Sequence, residues 1–124
     1  MLGYTREHTW VLLEDGRARV GISDFAQREL GDITYVELPP KGRRVERGDV
    51  ACTVDSLKSS SEIYAPVSGM VVDVNDALAV EEQCGLVNSD PLGAGWLFAL
   101  EVSDARELEL LLPEQEYLAY VEGG

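Results

Sequence analysis

The middle of the sequence reads Thr53-Val54-Asp55-Ser56-Leu57-Lys58-Ser59-Ser60-Ser61-Glu62-Ile63-Tyr64-Ala65-Pro66. A lysine stands here between two runs with the alternation typical of strands, and small hydroxyl residues surround it. The pattern predicts a β-hairpin with Lys58 on its exposed tip. The serines leave the approach to the amine open, which makes Lys58 a candidate for modification. Taken alone, however, a lysine in a serine-rich turn is usually only a solvated turn residue.

The sequence on both sides of this hairpin shows the same pattern of short strands. Segments rich in Val, Ile and Tyr alternate with Gly, Pro and Asp, and Asp15-Gly16 predicts a hairpin turn. A sharp turn at residues 66–69 is expected to form a second hairpin, at the opposite end from Lys58. The predicted strands cover residues 10–13, 18–22, 33–38, 50–56, 61–64, 69–74 and 96–102.

Helices are predicted at the joints between strands. Ser23 before residues 24–30 and Gly31 after them supply an N-cap hydroxyl and a C-terminal glycine. Asp104 and Glu107 have the spacing of a capping box, and Pro113 can begin a last helix through Tyr120. We therefore expect C-terminal helices at about residues 104–121 that close one end of a single domain, residues 1–124.

The predicted fold class is mainly β, with many short strands forming a sandwich or a flattened barrel. Apolar residues in the strand patterns are the expected core. They are Trp10, Val20, Val36, Val54, Val72, Trp96 and Phe98.

Composition limits the possible partners. The 124 residues include 10 Lys plus Arg against 23 Asp plus Glu, a net charge of -13, and no basic block suited to nucleic acid. The charge favours partners with basic surfaces, although a merely solvated acidic surface explains it equally well. No stretch has the length and apolar character of a membrane span or a signal segment, so no membrane association and a cytoplasmic location are expected.

The two cysteines and the single histidine offer little catalytic chemistry. Cys52 and Cys84 form no CxxC pair, and His8 is the only histidine, so a structural zinc site would lack its usual ligands. Cys52 alternates with Val50 and Val54, a position typical of a small buried residue. An enzyme built on a cysteine and His8 is the weaker alternative, because nothing in the spacing indicates an activated thiol.

Several motifs, in order along nearly the whole chain, are similar to those of the H-protein family of the glycine cleavage system. They are Tyr4-Thr5, His8-x-Trp10, Val20-Gly21-Ile22-Ser23-Asp24-Phe25-Ala26-Gln27, Leu30-Gly31-Asp32-Ile33, Tyr35-Val36-Glu37-Leu38-Pro39, Tyr64-Ala65-Pro66-Val67-Ser68-Gly69, Leu86-Val87-Asn88-Ser89-Asp90-Pro91 and Gly95-Trp96-Leu97.

The resemblance implies a lipoyl-type fold, a barrel-sandwich hybrid of two packed sheets with short peripheral helices. It also implies that the chain is a carrier rather than an enzyme, with lipoic acid attached covalently to Lys58. The family pattern around the lysine is Glu-Ser-Val-Lys-Ala. Here Asp55, Ser56, Leu57 and Ser59 flank Lys58 and would be recognised by a lipoate ligase or a lipoyl/octanoyl transferase. Biotin carriers usually have methionines beside their lysine, so biotin is disfavoured.

The function implied is the shuttling of an aminomethyl group between glycine decarboxylase, aminomethyltransferase and dihydrolipoamide dehydrogenase, with the loaded arm resting in a surface cleft. Glu29 and Glu62 correspond to polar residues of that cleft. Thr9 replaces a family glutamate expected to bind the ammonium of the cargo. That departure and the two cysteines keep an alternative open: an H-protein-like lipoate-binding protein that carries sulfur intermediates for heterodisulfide-reductase-like proteins of sulfur oxidation. A third interpretation, a lipoyl donor in lipoate relay, is compatible with either pathway.

Overall fold

The computed structural model describes residues 1–123 and is mainly β. Its strands are β1 (Leu2–Tyr4), β2 (Thr9–Glu14), β3 (Arg17–Ile22), β4 (Ile33–Glu37), β5 (Arg44–Val45), β6 (Val50–Ser56), β7 (Ser60–Tyr64), β8 (Gly69–Val74) and β9 (Phe98–Val102). The α-helices are α1 (Asp24–Leu30), α2 (Leu86–Ser89) and α3 (Glu114–Gly123), and 3-10 turns cover Asp76–Ala79, Glu81–Gln83 and Ala105–Leu110. No helix within residues 1–123 is long and apolar enough to cross a membrane.

The strands form two antiparallel sheets that pack on each other. The larger sheet has the order β1-β2-β3-β9-β8-β5, and the smaller has the order β4-β6-β7. One apolar cluster contains buried residues of both sheets, including Val20 and Phe98 from the larger and Val36 and Val54 from the smaller. The predicted pair of packed sheets with peripheral short helices is therefore confirmed.

Two predicted core residues are wrong. Trp10, Val20, Val36, Val54 and Phe98 are buried as expected. Val72 is only partly buried, because β8 has an irregularity between Val71 and Asp73 that breaks the alternation, and Val71 takes the core position. Trp96 also stays partly buried: it lies before β9, outside any strand, and the guanidinium of Arg19 lies 4.9 Å from its ring centroid.

The turn at residues 66–69 is not the second hairpin that the sequence suggested. It leads from β7 in the smaller sheet to β8 in the larger, and these strands do not pair. Gly69 is needed there, since an added Cβ would lie 2.3 Å from the Glu101 carbonyl oxygen. Residues 66–69 thus tie the two sheets together.

The predicted caps are half right. The Ser23 hydroxyl accepts a hydrogen bond from Ala26 N at the start of α1, and Gly31 ends the helix with a φ of 80°. Asp104 caps the turn Ala105–Leu110 by accepting from Arg106 N, but Glu107 does not complete a capping box. Its carboxylate instead accepts from the Ser68 amide and hydroxyl. The last helix, α3, begins at Glu114, so Pro113 lies just before it rather than in its first turn, and the helix runs beyond Tyr120 to Gly123.

Candidate functional site

Lys58 lies on the tip of the hairpin formed by β6 and β7, in a loop of three residues that also contains Leu57 and Ser59. All three are exposed. The Ser56 hydroxyl organises the tip, because it accepts hydrogen bonds from the amides of Lys58 (3.3 Å) and Ser59 (3.1 Å). The Ser56 amide donates to the Ser59 carbonyl at 2.8 Å. The lysine therefore stands on an ordered turn and projects from it.

Some neighbours of Lys58 form hydrogen bonds that shape the hairpin, whereas others leave their side chains exposed. The Asp55 carboxylate accepts a 2.6 Å hydrogen bond from the Ser60 hydroxyl across the hairpin. The Leu57 amide donates to the Asp32 carbonyl at 3.1 Å, which ties the tip to the loop before β4. The Leu57 side chain remains 77% exposed. A modifying enzyme can thus contact Leu57 and Ser59 directly, whereas Asp55 and Ser56 shape the turn.

The lysine stem runs close to the end of α1. A Cβ placed on Gly31 would lie 3.4 Å from Lys58 Cε, so the aliphatic part of the side chain passes over this glycine. Helix α1, which ends just before Gly31, and strand β7, which begins just after the tip, form two walls of a surface cleft.

This cleft, which we call the arm cleft, has a volume of about 300 Å³. Strand β7 contributes residues 61–63, and the turn before β2 contributes Glu7 and His8. Apolar side chains provide much of the lining: Ile22, Phe25, Ala26, Leu30 and Ile63. The arm cleft is also lined by three exposed acidic residues: Glu7, Glu29 and Glu62. An apolar hollow with carboxylates at its mouth suits a ligand with an aliphatic body and a cationic end.

The structure brings Glu29 and Glu62 together at the arm cleft but does not place Thr9 among its lining residues. Thr9 is 1% exposed and pairs with Ile22 in the larger sheet. Glu7 and His8, which do line the cleft, were not predicted as site residues. The sequence carries little signal for them, because a backbone reversal at His8, with φ of 69°, brings this turn to the cleft.

His8 connects the arm cleft to α3. Its Nδ1 atom lies 2.8 Å from the Tyr117 hydroxyl, which in turn lies 2.7 Å from the Ser23 hydroxyl. Burial lowers the pKa of His8, and the nearby carboxylates of Glu7 and Glu29 oppose this shift. A neutral imidazole that accepts at Nδ1 carries its proton on Nε2. The imidazole, held also against Phe25 at 4.7 Å between ring centroids, is a fixed part of the cleft wall.

Both thiols are buried in the core, away from the arm cleft. Cys52 is 3% exposed, which confirms its predicted place as a small buried residue. Burial raises the pKa of Cys52 to about 12 and also raises the pKa of Cys84. Both thiols are therefore poor candidates for a nucleophile. No group of three potential metal ligands occurs within residues 1–123.

Comparison with known proteins identifies the family of this chain. Residues 2–123 match the family described as "Glycine cleavage H-protein". The chain belongs to this family. The glycine cleavage system H protein of Thermotoga maritima is 50% identical over 117 residues, which are 94% of this chain and 93% of that protein. The probable glycine cleavage system H protein of Aeropyrum pernix is 51% identical over 120 residues, 97% of this chain and 82% of the relative.

A solved structure extends the H-protein likeness to three dimensions. The crystal structure of a glycine cleavage system H protein from Mycobacterium marinum superposes with a TM-score of 0.86 at 36% identity. The match covers 99% of this chain and 97% of that one. The fold is therefore the expected lipoyl-type arrangement of the H-protein family, with two packed sheets that do not close into one barrel.

Proposed function

We propose that this chain is the lipoyl carrier of a glycine cleavage system and that its arm shuttles an aminomethyl group between the enzymes of that system. The observation that carries the proposal is the position of Lys58, exposed on an ordered hairpin tip whose flanking elements wall the arm cleft. Membership of the H-protein family supports it. The chain itself acts as a substrate of its partners rather than as an enzyme.

The residues around Lys58 fit a covalently attached lipoyl group. Lys58 would hold lipoic acid through an amide at Nζ, and the bound group supplies a cyclic disulfide that opens by thiol exchange or reductive acylation. An exposed tip lets the ligase reach the amine and lets the finished arm reach separate active sites. The small side chains of Ser59, Ser60 and Ser61 leave that approach open.

The arm cleft fits a cargo that ends in an ammonium group. The apolar lining can cover the aliphatic part of the arm and exclude water, while Glu7, Glu29 and Glu62 offer carboxylates to the ammonium. These three would take the role that the resemblance gives to a glutamate at position 9, where this chain has the neutral Thr9. His8 would orient the cleft wall, because its Nδ1 is already engaged by Tyr117.

The partners that follow are a lipoate ligase or a lipoyl/octanoyl transferase for attachment, and glycine decarboxylase, aminomethyltransferase and dihydrolipoamide dehydrogenase for the cycle. Between Arg47 and Arg106, Lys58 is the only cationic residue, in a stretch that contains ten Asp and Glu residues. This distribution favours enzyme surfaces that are basic around the entrance to their active sites.

The attachment site has an internal control, since the chain has only two lysines, Lys41 and Lys58. Lys41 is also half exposed at its side chain, 3.8 Å from the Asp73 carboxylate. Co-expression with a lipoate ligase and intact-mass spectrometry should show one added lipoyl group in the wild type and in Lys41→Ala, and none in Lys58→Ala. Full labelling of Lys58→Ala would refute the assignment.

The neutral Thr9, at the position where the family resemblance implies a glutamate, favours a second candidate: a lipoate-binding carrier of sulfur intermediates, which has no ammonium to bind. Reconstitution with glycine decarboxylase, aminomethyltransferase, dihydrolipoamide dehydrogenase and glycine separates the two. Under the first proposal the wild type turns over, and a Glu29→Gln, Glu62→Gln double variant loses its amine faster. Failure of the lipoylated wild type to accept the aminomethyl group would leave the sulfur carrier, or a lipoyl donor, as the function.

A further inference from the structure

A second and larger concavity lies beside the arm cleft, between α1 and α3. We call it the helix groove; its volume is about 610 Å³. Several of its lining side chains are apolar and in part exposed. Leu92 is 38% exposed and Leu118 is 50% exposed. Exposed apolar side chains that lie close together on one concave surface are typical of protein interaction sites.

The ionised groups that line the helix groove are almost all acidic. Carboxylates of Asp24, Glu29, Glu114 and Glu122 stand around it. The one cationic lining residue, Arg28, lies 2.7 Å from the Asp24 carboxylate, and the charges of this pair offset each other, which leaves Glu29, Glu114 and Glu122 to make the groove acidic. An occupant that brings apolar side chains together with Arg or Lys would match both features of this surface.

The helix groove is continuous with the arm cleft. Phe25 and Glu29 line both, so an occupant of the groove lies against one wall of the site proposed to receive the arm. A small molecule bound in the groove would gain nothing from this continuity. A protein that also handles the Lys58 arm would gain a second contact, and its active site would be held near the arm.

The groove is a fixed feature, because contacts with the body of the protein hold α3 in place. The rings of Tyr4 and Tyr117 stack with centroids 4.3 Å apart and planes within 6°. The Tyr117 hydroxyl contacts both His8 and Ser23. The surface is therefore formed before a partner arrives, which lowers the cost of binding.

We propose that the helix groove is the docking site for a segment of an enzyme that acts on the Lys58 arm, in which apolar side chains are flanked by arginine or lysine. The inference rests on the proposed carrier function and extends it by assigning the partner a surface separate from the arm. Leu118 provides the apolar contact and Glu122 the charged one.

Two pairs of variants of the lipoylated full-length protein test the groove. Leu118→Lys removes the apolar contact and adds a like charge against the occupant, while Leu110→Lys makes the same change at a residue that is 58% exposed outside the groove. Glu122→Lys reverses a groove charge, and Glu116→Lys reverses an exposed charge of α3 that does not line it. Circular dichroism should show all four variants folded, since each altered side chain is exposed.

The measurement is the Kd of each variant for purified aminomethyltransferase, glycine decarboxylase and dihydrolipoamide dehydrogenase, together with the rate at which each enzyme acts on the lipoyl arm of that variant. For at least one enzyme, Leu118→Lys should raise the Kd about tenfold or more and Glu122→Lys several-fold, with Leu110→Lys and Glu116→Lys within about twofold of wild type. Equal affinities for groove and control variants, with normal lipoylation and turnover of the wild type, would overturn the docking site and leave the carrier function standing. Absence of binding by the wild type to all three enzymes would overturn both proposals.

The same variants exclude two other occupants. If the arm itself filled the groove, Leu118→Lys would change the exposure of the lipoyl group to a soluble thiol and leave enzyme affinity unchanged. If a second copy filled it, sedimentation would show a dimer that Leu118→Lys dissociates. Either result would contradict an enzyme segment as the occupant.

Discussion

The hydroxyl of Ser56 decides how Lys58 is presented. It accepts hydrogen bonds from the two amides that follow in the loop, so the tip keeps its turn without contacts from the lysine side chain. The proposed ligase would then meet a fixed backbone with a free amine. The serines nearby do not share this role equally, which gives a direct comparison.

We predict that Ser56→Ala lowers the free energy of unfolding by about 1 kcal/mol, because hydrogen bonds of the tip are lost. It should also slow lipoylation of Lys58 several-fold, since the amine is presented by a less ordered loop. Ser59→Ala is the matched control, as the exposed Ser59 side chain takes no part in the bonds that close the tip. Urea unfolding and time-resolved intact-mass spectrometry measure the two effects. Equal behaviour of both variants would show that the Ser56 hydroxyl does not order the loop.

His8 should make the free energy of unfolding depend on pH near neutrality. Histidine is the side chain whose ordinary pKa lies in this range. Burial lowers the pKa of His8 from its usual 6.5, so the unfolded chain binds a proton at a higher pH than the folded chain. The free energy of unfolding should therefore fall as the pH drops below about 6.5 and level off beneath the folded-state pKa. Urea unfolding between about pH 7.5 and 5.5 measures the slope.

The control for this prediction is His8→Asn, which removes the only histidine and keeps a side chain that tolerates a positive φ. Its stability should be flat over the same pH range. A slope equal to that of the wild type would assign the titration to other groups.

The turn Ala105–Leu110 contacts the segment that joins the two sheets. The sequence did not predict this contact. Glu107 was predicted to cap its own helix, but its carboxylate accepts from the amide of Ser68 at 2.7 Å and from its hydroxyl at 3.1 Å. Ser68 is 4% exposed, so its amide has little access to water as a replacement. The C-terminal part of the chain thus secures the link between the sheets.

We expect Glu107→Ala to lower the free energy of unfolding by about 1–3 kcal/mol, because a buried amide loses its charged acceptor. Glu109→Ala alters an exposed carboxylate two residues away in the same turn and should stay within about 0.5 kcal/mol of the wild type. Thermal and urea unfolding compare the pair. If Glu107→Ala were as stable as Glu109→Ala, the contact between Glu107 and Ser68 would not contribute to the free energy of unfolding.

Sequence patterns predicted the elements well where local rules decide them. The bounds of β6, β8 and α1 agree with prediction, since their signals are local: runs rich in Val bounded by turn residues for the strands, and the flanking Ser23 and Gly31 caps for the helix. Strands β1 and β5 were missed because three and two residues are too few to show a period. The core position of Val71 depends on a bulge, and the course of residues 66–69 depends on which sheet the next strand joins. Neither is a local property.

The sequence predicted Lys58 as the attachment residue but did not predict the surfaces around it. Lys58 could be proposed because a hairpin pattern and family-like motifs meet at one position, and Glu29 and Glu62 were proposed from the same resemblance. Glu7 and His8 reach the arm cleft only through the backbone reversal before β2. The helix groove needs α1 and α3, which are more than eighty residues apart in sequence, to lie side by side.

The charge distribution leads to a prediction for association kinetics. With a net charge of -13, attraction to a ligase that is basic near its active site should speed encounter, and exposed charges are screened beyond about 10 Å at 0.1 M salt. The association rate constant with lipoate ligase, measured by stopped flow, should fall as salt rises, while the dissociation rate constant changes less. An association rate constant that is independent of salt would remove electrostatic steering from the recognition of this protein.

The isolation of Lys58 among acidic residues would make the proposed attachment visible as a change of electric charge. The proposed amide at Nζ would remove the positive charge of that lysine, the only one between Arg47 and Arg106. Every ionised side chain left in that stretch is then an anion. The unmodified and modified proteins should separate on isoelectric focusing, the modified one at lower pH. An enzyme that senses this charge can distinguish a finished carrier from an unfinished one before it reaches the arm.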